Sequence, residues 1–129
     1  MDKLKVFSHL VYECKKGVRS AALCTIQGDC CETALAKLKA NGMAYFICPV
    51  SQNKVNIFFG AKVCIDVISK FCNKPLNKLS PEEDFMLGAI LGYSICEQCR
   101  RYCKMNERQT MSILSPESSG PLLQPMTEA

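Results

Sequence analysis

The stretch that decides the fold is MAYFICPVSQNKVNIFFG, residues 43–60. Two apolar runs, residues 43–50 and 55–59, flank the polar turn 51–54, and Gly60 ends the second run. Two such runs joined by a short polar turn are typical of a β-hairpin. Because the first run is apolar at successive positions, it favours a central strand over an edge strand. We therefore expect a sheet built around this hairpin.

Helices and a further strand are predicted on both sides of the hairpin. Upstream, an amphipathic helical pattern covers residues 4–14, a buried strand covers 21–26, and a second helical pattern covers 29–41. Downstream, residues 64–71 carry another helical pattern. The sequence of residues 80–83, Ser-Pro-Glu-Glu, is a helix start with a capping serine and a glutamate three positions later. We expect this last helix to run to about residue 105.

The order α-β-α-β-β-α-α predicts the fold class. Helices and strands are partly segregated, and a β-α-β crossover places its two strands parallel within one sheet. We therefore expect an α+β fold, with a three-stranded mixed sheet packed against helices. Exposed edges of so small a sheet favour a dimer that covers them.

Composition excludes several classes of protein. The 129 residues are 48% hydrophobic and 22% charged, which indicates one ordinary domain too short for a barrel enzyme or a doubly wound dehydrogenase. No apolar run approaches the roughly 18 residues needed to span a bilayer. The first residues also lack the apolar core of a signal peptide. We therefore expect a cytoplasmic protein without a membrane partner.

The last 25 residues differ in composition from the rest of the chain. Residues 105–129 hold three of the six prolines, four serines, no cysteine and no aromatic residue. We expect a single domain at 1–104, followed by a flexible Ser/Pro-rich tail at 105–129. The tail has a net charge of −2, which leaves +6 on residues 1–104. This basic charge is too diffuse to predict a nucleic-acid surface.

Ten cysteines are the outlier in this composition. In a cytoplasmic protein we interpret them as reduced thiols, mostly small core residues. Cys96, Cys99 and Cys103 fall within about 60° of one helix face, which suits a metal, an iron–sulfur cluster or redox chemistry. Gly88 and Gly92 continue that stripe, and two helical glycines indicate close packing in the core or at a dimer seam. The packing interpretation is preferred, so no cofactor is expected.

Two polar groups are further candidates. His9, the only histidine, meets Tyr12 and Glu13 at helical spacing, but the sequence identifies no nucleophile for the pair to activate. No phosphate-binding glycine loop or zinc-protease motif occurs. A small enzyme using this cluster is therefore the weaker hypothesis, and a non-enzymatic protein is preferred.

Several basic residues lie at the C-terminal end of the predicted last helix. Arg100, Arg101 and Lys104 complement the helix dipole, and they also suit docking of an acidic protein surface. Nucleic acid would need a broader basic stripe with groove-reading elements, so it is not expected as a partner.

Several of these segments resemble one small bacterial family, the domain-of-unknown-function family numbered two thousand and twenty-three. The resemblance covers roughly residues 4–104 and rests on residues 9–13, Lys16-Gly17-x-Arg19, residues 56–60, residues 81–93 and Gln98-Cys99-x-Arg101-Tyr102. Of the last-helix cysteines, only Cys99 falls in the family pattern. The resemblance implies three strands with about five helices, a homodimer, an uncharacterised activity and a genomic association with flavodoxin.

These observations together predict a function. We expect a dimeric, non-enzymatic interaction module that assists an acidic electron-transfer protein such as flavodoxin, with Arg100, Arg101 and Lys104 as the docking residues. The alternative is a cysteine-based metal-binding or redox protein that uses Cys96 and Cys103 with the family's Cys99.

Overall fold

The computed structural model describes residues 3–113, and side chains as far as residue 108. Within this range the chain forms five α-helices and three strands. The helices are α1 (Lys3–Lys15), α2 (Cys31–Ala40), α3 (Lys62–Phe71), α4 (Pro81–Ile90) and α5 (Ile95–Ile113). The strands are β1 (Ala21–Gln27), β2 (Ala44–Pro49) and β3 (Lys54–Gly60). The predicted α+β class, with its hairpin, three strands and about five helices, is confirmed.

The sheet has the order β1-β3-β2, and both pairings are antiparallel. Ala21 of β1 and Ala44 of β2 both lie opposite Gly60 of β3. The predicted mixed sheet is therefore wrong. β1 and β2 do run in the same direction, but the hairpin inserts β3 between them, so no two parallel strands are neighbours.

Two helical layers cover the sheet. In the first layer, α1 and α2 bury Phe7, Val11, Ala34 and Leu38 against one face. In the second layer, α3 and α4 bury their apolar residues against the other face, and α5 packs on α4. Alternate residues of β3 enter the two cores, which is the pattern of a strand covered on both sides.

This layering explains a second error. β2 was predicted to be central because it is apolar at successive positions, yet it is an edge strand whose side chains are half-buried. A run that is apolar on both faces indicates that helices lie above and below the strand. It does not report which strands lie beside it.

Helix α4 begins as the sequence predicts. The Ser80 hydroxyl accepts a hydrogen bond from the Glu83 backbone N–H at 3.1 Å, and the Glu83 carboxylate accepts one from the Ser80 N–H at 2.9 Å. Pro81 occupies the first helical position, where its missing N–H leaves no bond unmade. The predicted capping box is confirmed.

The single helix predicted from Pro81 to about residue 105 is wrong, because the chain turns at Gly92. Gly92 has φ +83°, a left-handed conformation that ends a helix readily only at glycine. The Tyr93 N–H donates to the Gly88 carbonyl at 2.9 Å, and the Gly92 N–H donates to the Ala89 carbonyl at 3.1 Å. These two bonds form a Schellman motif, and α5 begins three residues later.

The helical region also ends later than predicted. Residues 105–113 continue α5, whereas the last helix was predicted to end at about residue 105. This segment contains several good helix formers and no glycine or proline. The rest of the predicted flexible tail, residues 114–129, lies outside the described residues. None of the helices in the described chain is long and apolar enough to cross a bilayer.

Candidate functional site

The α4–α5 hairpin is held by close packing at its turn. A side-chain carbon on Gly88 would overlap the amide of Gln98, which is buried with 7% exposure. The absence of a side chain at Gly88 therefore lets α5 approach the backbone of α4. Gly92, the other glycine predicted to pack closely, instead lies in the turn with open space around it.

Polar and aromatic contacts extend this hairpin away from the turn. The Arg101 guanidinium donates to the Asp84 carboxylate at 2.6 Å, and the Tyr102 hydroxyl donates to Glu82 at 3.1 Å. The rings of Phe85 and Tyr102 meet edge to face, with centroids 6.1 Å apart. The long motif that carries the family resemblance thus supplies the contacts that position α5 on α4.

A groove of about 1030 Å³ lies beside this hairpin in the second layer. Leu23 of β1 and the loop that follows α3 complete its wall. Its apolar lining consists of Leu23, Leu76, Leu79, Leu87, Leu91 and Met105. Leu79, Leu87 and Leu91 are buried, whereas Leu23 and Met105 are half-buried and face the opening. The groove therefore offers apolar surface to a binding partner.

The rim of the groove is basic. The predicted docking residues Arg100, Arg101 and Lys104 all line it, together with Arg108. Asp84 and Glu97 are the acidic lining residues, so the described lining carries a net charge of +2. The structure thus brings the three predicted basic residues together at one opening.

The four cations of the rim differ in their partners. Arg100 lies 2.8 Å from the Glu97 carboxylate, and Arg101 lies 2.6 Å from Asp84. The hydrogen bond that Arg101 donates to Asp84 raises the pKa of Arg101, so this side chain stays charged. Lys104 and Arg108 are exposed and form no ion pair with another side chain of residues 3–108. They are the cations most available to a ligand.

Arg108 and the apolar lining were missed by the sequence prediction. Arg100, Lys104 and Arg108 recur every four residues, so they follow one helix face. That spacing could have identified Arg108 as a further basic residue of the same face. It was overlooked because the predicted helix ended near residue 105, before Arg108. The apolar lining gave no local signal, since its residues come from β1, α4, α5 and the loop after α3.

The predicted polar cluster is only partly assembled. His9 Nε2 lies 3.1 Å from a carboxylate oxygen of Glu13, whereas Tyr12 is exposed and has the Lys16 ammonium 5.6 Å from its ring centre. The second oxygen of Glu13 accepts from Arg19 at 2.8 Å, and this hydrogen bond holds the pKa of Glu13 below its usual value.

Arg19 links this cluster to the groove end of α4. Its second nitrogen donates to the Leu91 carbonyl at 3.3 Å, at the last turn of α4. The Glu13–Arg19 pair thus ties α1 in the first layer to α4 in the second layer. This geometry makes Glu13 a structural anchor and leaves His9 exposed beside it, with 68% of its side chain accessible.

A smaller cavity of about 440 Å³ lies at the end of the sheet where α1 and α2 finish. Lys15 and Arg19 line it, but Lys15 donates to the Asn41 side chain at 3.1 Å and Arg19 to Glu13. Its cations are therefore engaged within the chain, unlike Lys104 and Arg108 of the groove rim.

Cys96, Cys99 and Cys103 are exposed on α5. Because these thiols are exposed, they are not core residues of the described domain, and the preferred packing interpretation is corrected for them. Within residues 3–108, no three side chains of His, Cys, Asp or Glu converge as a set of metal ligands.

The family described as Protein of unknown function (DUF2023) matches residues 5–105, so the chain belongs to that family. The match confirms the resemblance predicted for residues 4–104. Comparison with the curated proteins gives no match.

Proposed function

We propose that this protein is a non-enzymatic interaction module whose groove binds an acidic partner protein. The observation that carries the proposal is the combination of an apolar lining with a basic rim in one groove. Stable protein interfaces have this anatomy, with an apolar centre surrounded by polar or charged residues. The half-buried Leu23, Leu76 and Met105 would supply the buried area, and the charge of the rim would favour an acidic partner.

The charge of the rim sets the chemistry of the partner. Lys104 and Arg108 lack a partner among the described side chains, so carboxylates of an incoming protein can pair with them directly. Arg100 and Arg101 are already paired with carboxylates, so they contribute less to the binding of an acidic partner. Charged rims of this kind accelerate association with a surface of opposite sign and make it sensitive to salt.

An acidic electron-transfer protein such as flavodoxin is our candidate partner. The genomic association with flavodoxin that the family resemblance implies supports this choice, and the basic rim is complementary in charge to an acidic protein. In this role the protein would hold or present the redox partner.

The test is the binding of a bacterial flavodoxin, measured by calorimetry at low and high salt. We expect the Lys104→Glu/Arg108→Glu variant to bind at least about tenfold more weakly, because two attractive contacts become repulsive. The matched control is Lys37→Glu/Lys39→Glu, which changes two exposed lysines of α2 in the first layer and gives the same net charge. Equal weakening by both variants, or no binding by the wild type at low salt, would overturn the proposal.

We further propose that the module is a homodimer. In the described chain, both β1 and β2 are sheet edges, and β2 presents half-buried Tyr45, Phe46 and Ile47. Unpaired edges of this kind are commonly covered by a second copy. Light scattering on the eluting protein is expected to give twice the chain mass of 14.3 kDa. A single-chain mass at all accessible concentrations would contradict the dimer.

A further inference from the structure

Exposure separates three cysteines of α5 from the rest. Cys96, Cys99 and Cys103 are exposed, whereas the other seven cysteines are buried or half-buried. All three fall within about 60° of one another around α5, and all three are exposed. A reagent in solution can therefore reach these three thiols together.

The helix fixes the distances between their backbones. With the rise and radius of an α-helix, the Cα atoms of Cys96 and Cys99 lie about 5 Å apart. Those of Cys99 and Cys103 lie about 6 Å apart, and those of Cys96 and Cys103 about 10 Å apart. Disulfides require Cα separations of about 4.4–6.8 Å. By Cα separation, Cys99 can pair with either neighbour, whereas the two outer cysteines cannot pair with each other. Because Cβ atoms three or four residues apart on a regular helix lie about 5–6 Å from each other, closing either disulfide also requires a local shift of the α5 backbone.

We propose that Cys99 is the centre of a thiol–disulfide exchange site that reacts with small disulfides such as oxidised glutathione. The Cys99 thiolate attacks one sulfur of the small disulfide and expels one thiolate, which leaves a mixed disulfide on Cys99. The Cys96 thiolate then attacks Cys99 Sγ and expels the second thiolate. The protein loses two hydrogens and gains the Cys96–Cys99 disulfide, and the small disulfide is reduced to two thiols.

Cys103 provides a second thiol that can resolve the mixed disulfide from the next turn of the helix. Three of the remaining cysteines compete poorly because of their raised pKa values. Burial raises the pKa of Cys72 to about 11, and it also raises the pKa values of Cys14 and Cys24, so little thiolate forms there at neutral pH. Cys30, Cys31, Cys48 and Cys64 are half-buried, so a reagent reaches them less readily than the exposed thiols of α5. This inference is independent of the groove and its acidic partner.

The experiment treats reduced, dilute protein with oxidised glutathione, then blocks free thiols and analyses it by mass spectrometry. We expect the wild type to lose two hydrogens, with Cys96 and Cys99 joined and little adduct retained. The Cys64→Ser control, which changes a half-buried thiol of α3, is expected to behave in the same way. Adducts on all three exposed cysteines without an internal disulfide, or disulfides between chains instead, would overturn the proposal.

Two variants test whether Cys99 is the central thiol of the exchange reaction. Cys96→Ser/Cys103→Ser is expected to keep a glutathione adduct on Cys99, because no thiol remains to resolve it. Cys99→Ser is expected to keep adducts on the outer cysteines without an internal disulfide, since these are too far apart to join. A Cys96–Cys103 disulfide in that variant would contradict the proposed geometry. Circular dichroism of each variant verifies that the helices are retained.

Discussion

The two layers that cover the sheet differ in how completely they close on it. In the first layer, Phe7, Val11, Ala34 and Leu38 are 0–2% exposed, and the rings of Phe7 and Phe59 lie 5.0 Å apart. In the second layer, the α4–α5 hairpin leaves a groove in which Leu23 of β1 is only half-buried. The first layer is thus closely packed on the sheet. The second layer also has a buried core, but beside it lies an apolar surface that solvent can reach.

The difference also extends to charge. The basic residues that line the groove come from α5, a helix that contacts α4 and does not cover the sheet directly. A helix in this outer position can carry exposed arginines, lysine and thiols without disturbing the buried residues beneath it. We infer that stability depends chiefly on the first layer and on the inner part of the second, whereas binding depends on the outer hairpin.

The largest expected effect is at the centre of the first layer. Phe7→Ala removes a fully buried ring and leaves a cavity, so we expect the free energy of unfolding to fall by about 3–5 kcal/mol. Urea denaturation followed by circular dichroism measures this loss. A loss below about 1 kcal/mol would show that the first layer is not the tightly packed one.

The next effect is at the hairpin of the second layer. Gly88→Val places a branched side chain against the Gln98 amide, and we expect a loss of about 1–3 kcal/mol from overpacking. Ala89→Val is the matched control, since Ala89 is the next residue of α4 and is exposed. Equal denaturation midpoints for the two variants would contradict the close approach of α5 to Gly88.

A smaller effect on stability is expected in the groove itself. Leu23→Ala shortens a half-buried side chain, so we expect a loss of about 1 kcal/mol, below that of Phe7→Ala. The same variant is expected to weaken flavodoxin binding by about tenfold, because the groove loses apolar contact area. Unchanged affinity in calorimetry would remove Leu23 from the binding surface.

The smallest effect is at the link between the layers. The lowered pKa of Glu13 means that its ionised form stabilises the fold, and that this stabilisation is lost as pH falls through the folded-state pKa. We therefore expect Glu13→Gln to be less stable than the wild type at about pH 7, and the two to converge near pH 3. Urea midpoints at both pH values measure this. A difference that persists unchanged in acid would show that the Arg19 pairing does not cause it.

Much of the fold was predictable because its signals are local. The hairpin at 43–60 and the capping box at Ser80 depend on residues close together in sequence, and both were predicted correctly. The position of β2 at an edge of the sheet was predicted wrongly. A strand that is apolar on both faces indicates that helices cover both faces, but it does not indicate which strands are its neighbours. The break at Gly92 was also missed, since a glycine within an apolar helical pattern reads equally as a packing site.

Only the basic residues of the candidate site were predictable from the sequence. Arg100, Arg101 and Lys104 were identified because they lie close together on one helical segment. The groove beside them forms only when α5 folds back on α4, and its wall includes Leu23, more than seventy residues earlier in the chain. A surface of this kind depends on tertiary contacts that a single sequence does not display.

The most direct test of the account is the location of partner binding, measured by amide chemical shifts of labelled protein during titration with flavodoxin. We expect the largest shifts around the groove, at residues such as Leu23, Leu79, Leu87 and Lys104. The amides of Phe7 and Leu38 in the first layer are expected to stay unchanged. Shifts centred on α1 and α2, or no shifts at saturating flavodoxin and low salt, would contradict the assignment of the groove as the binding surface.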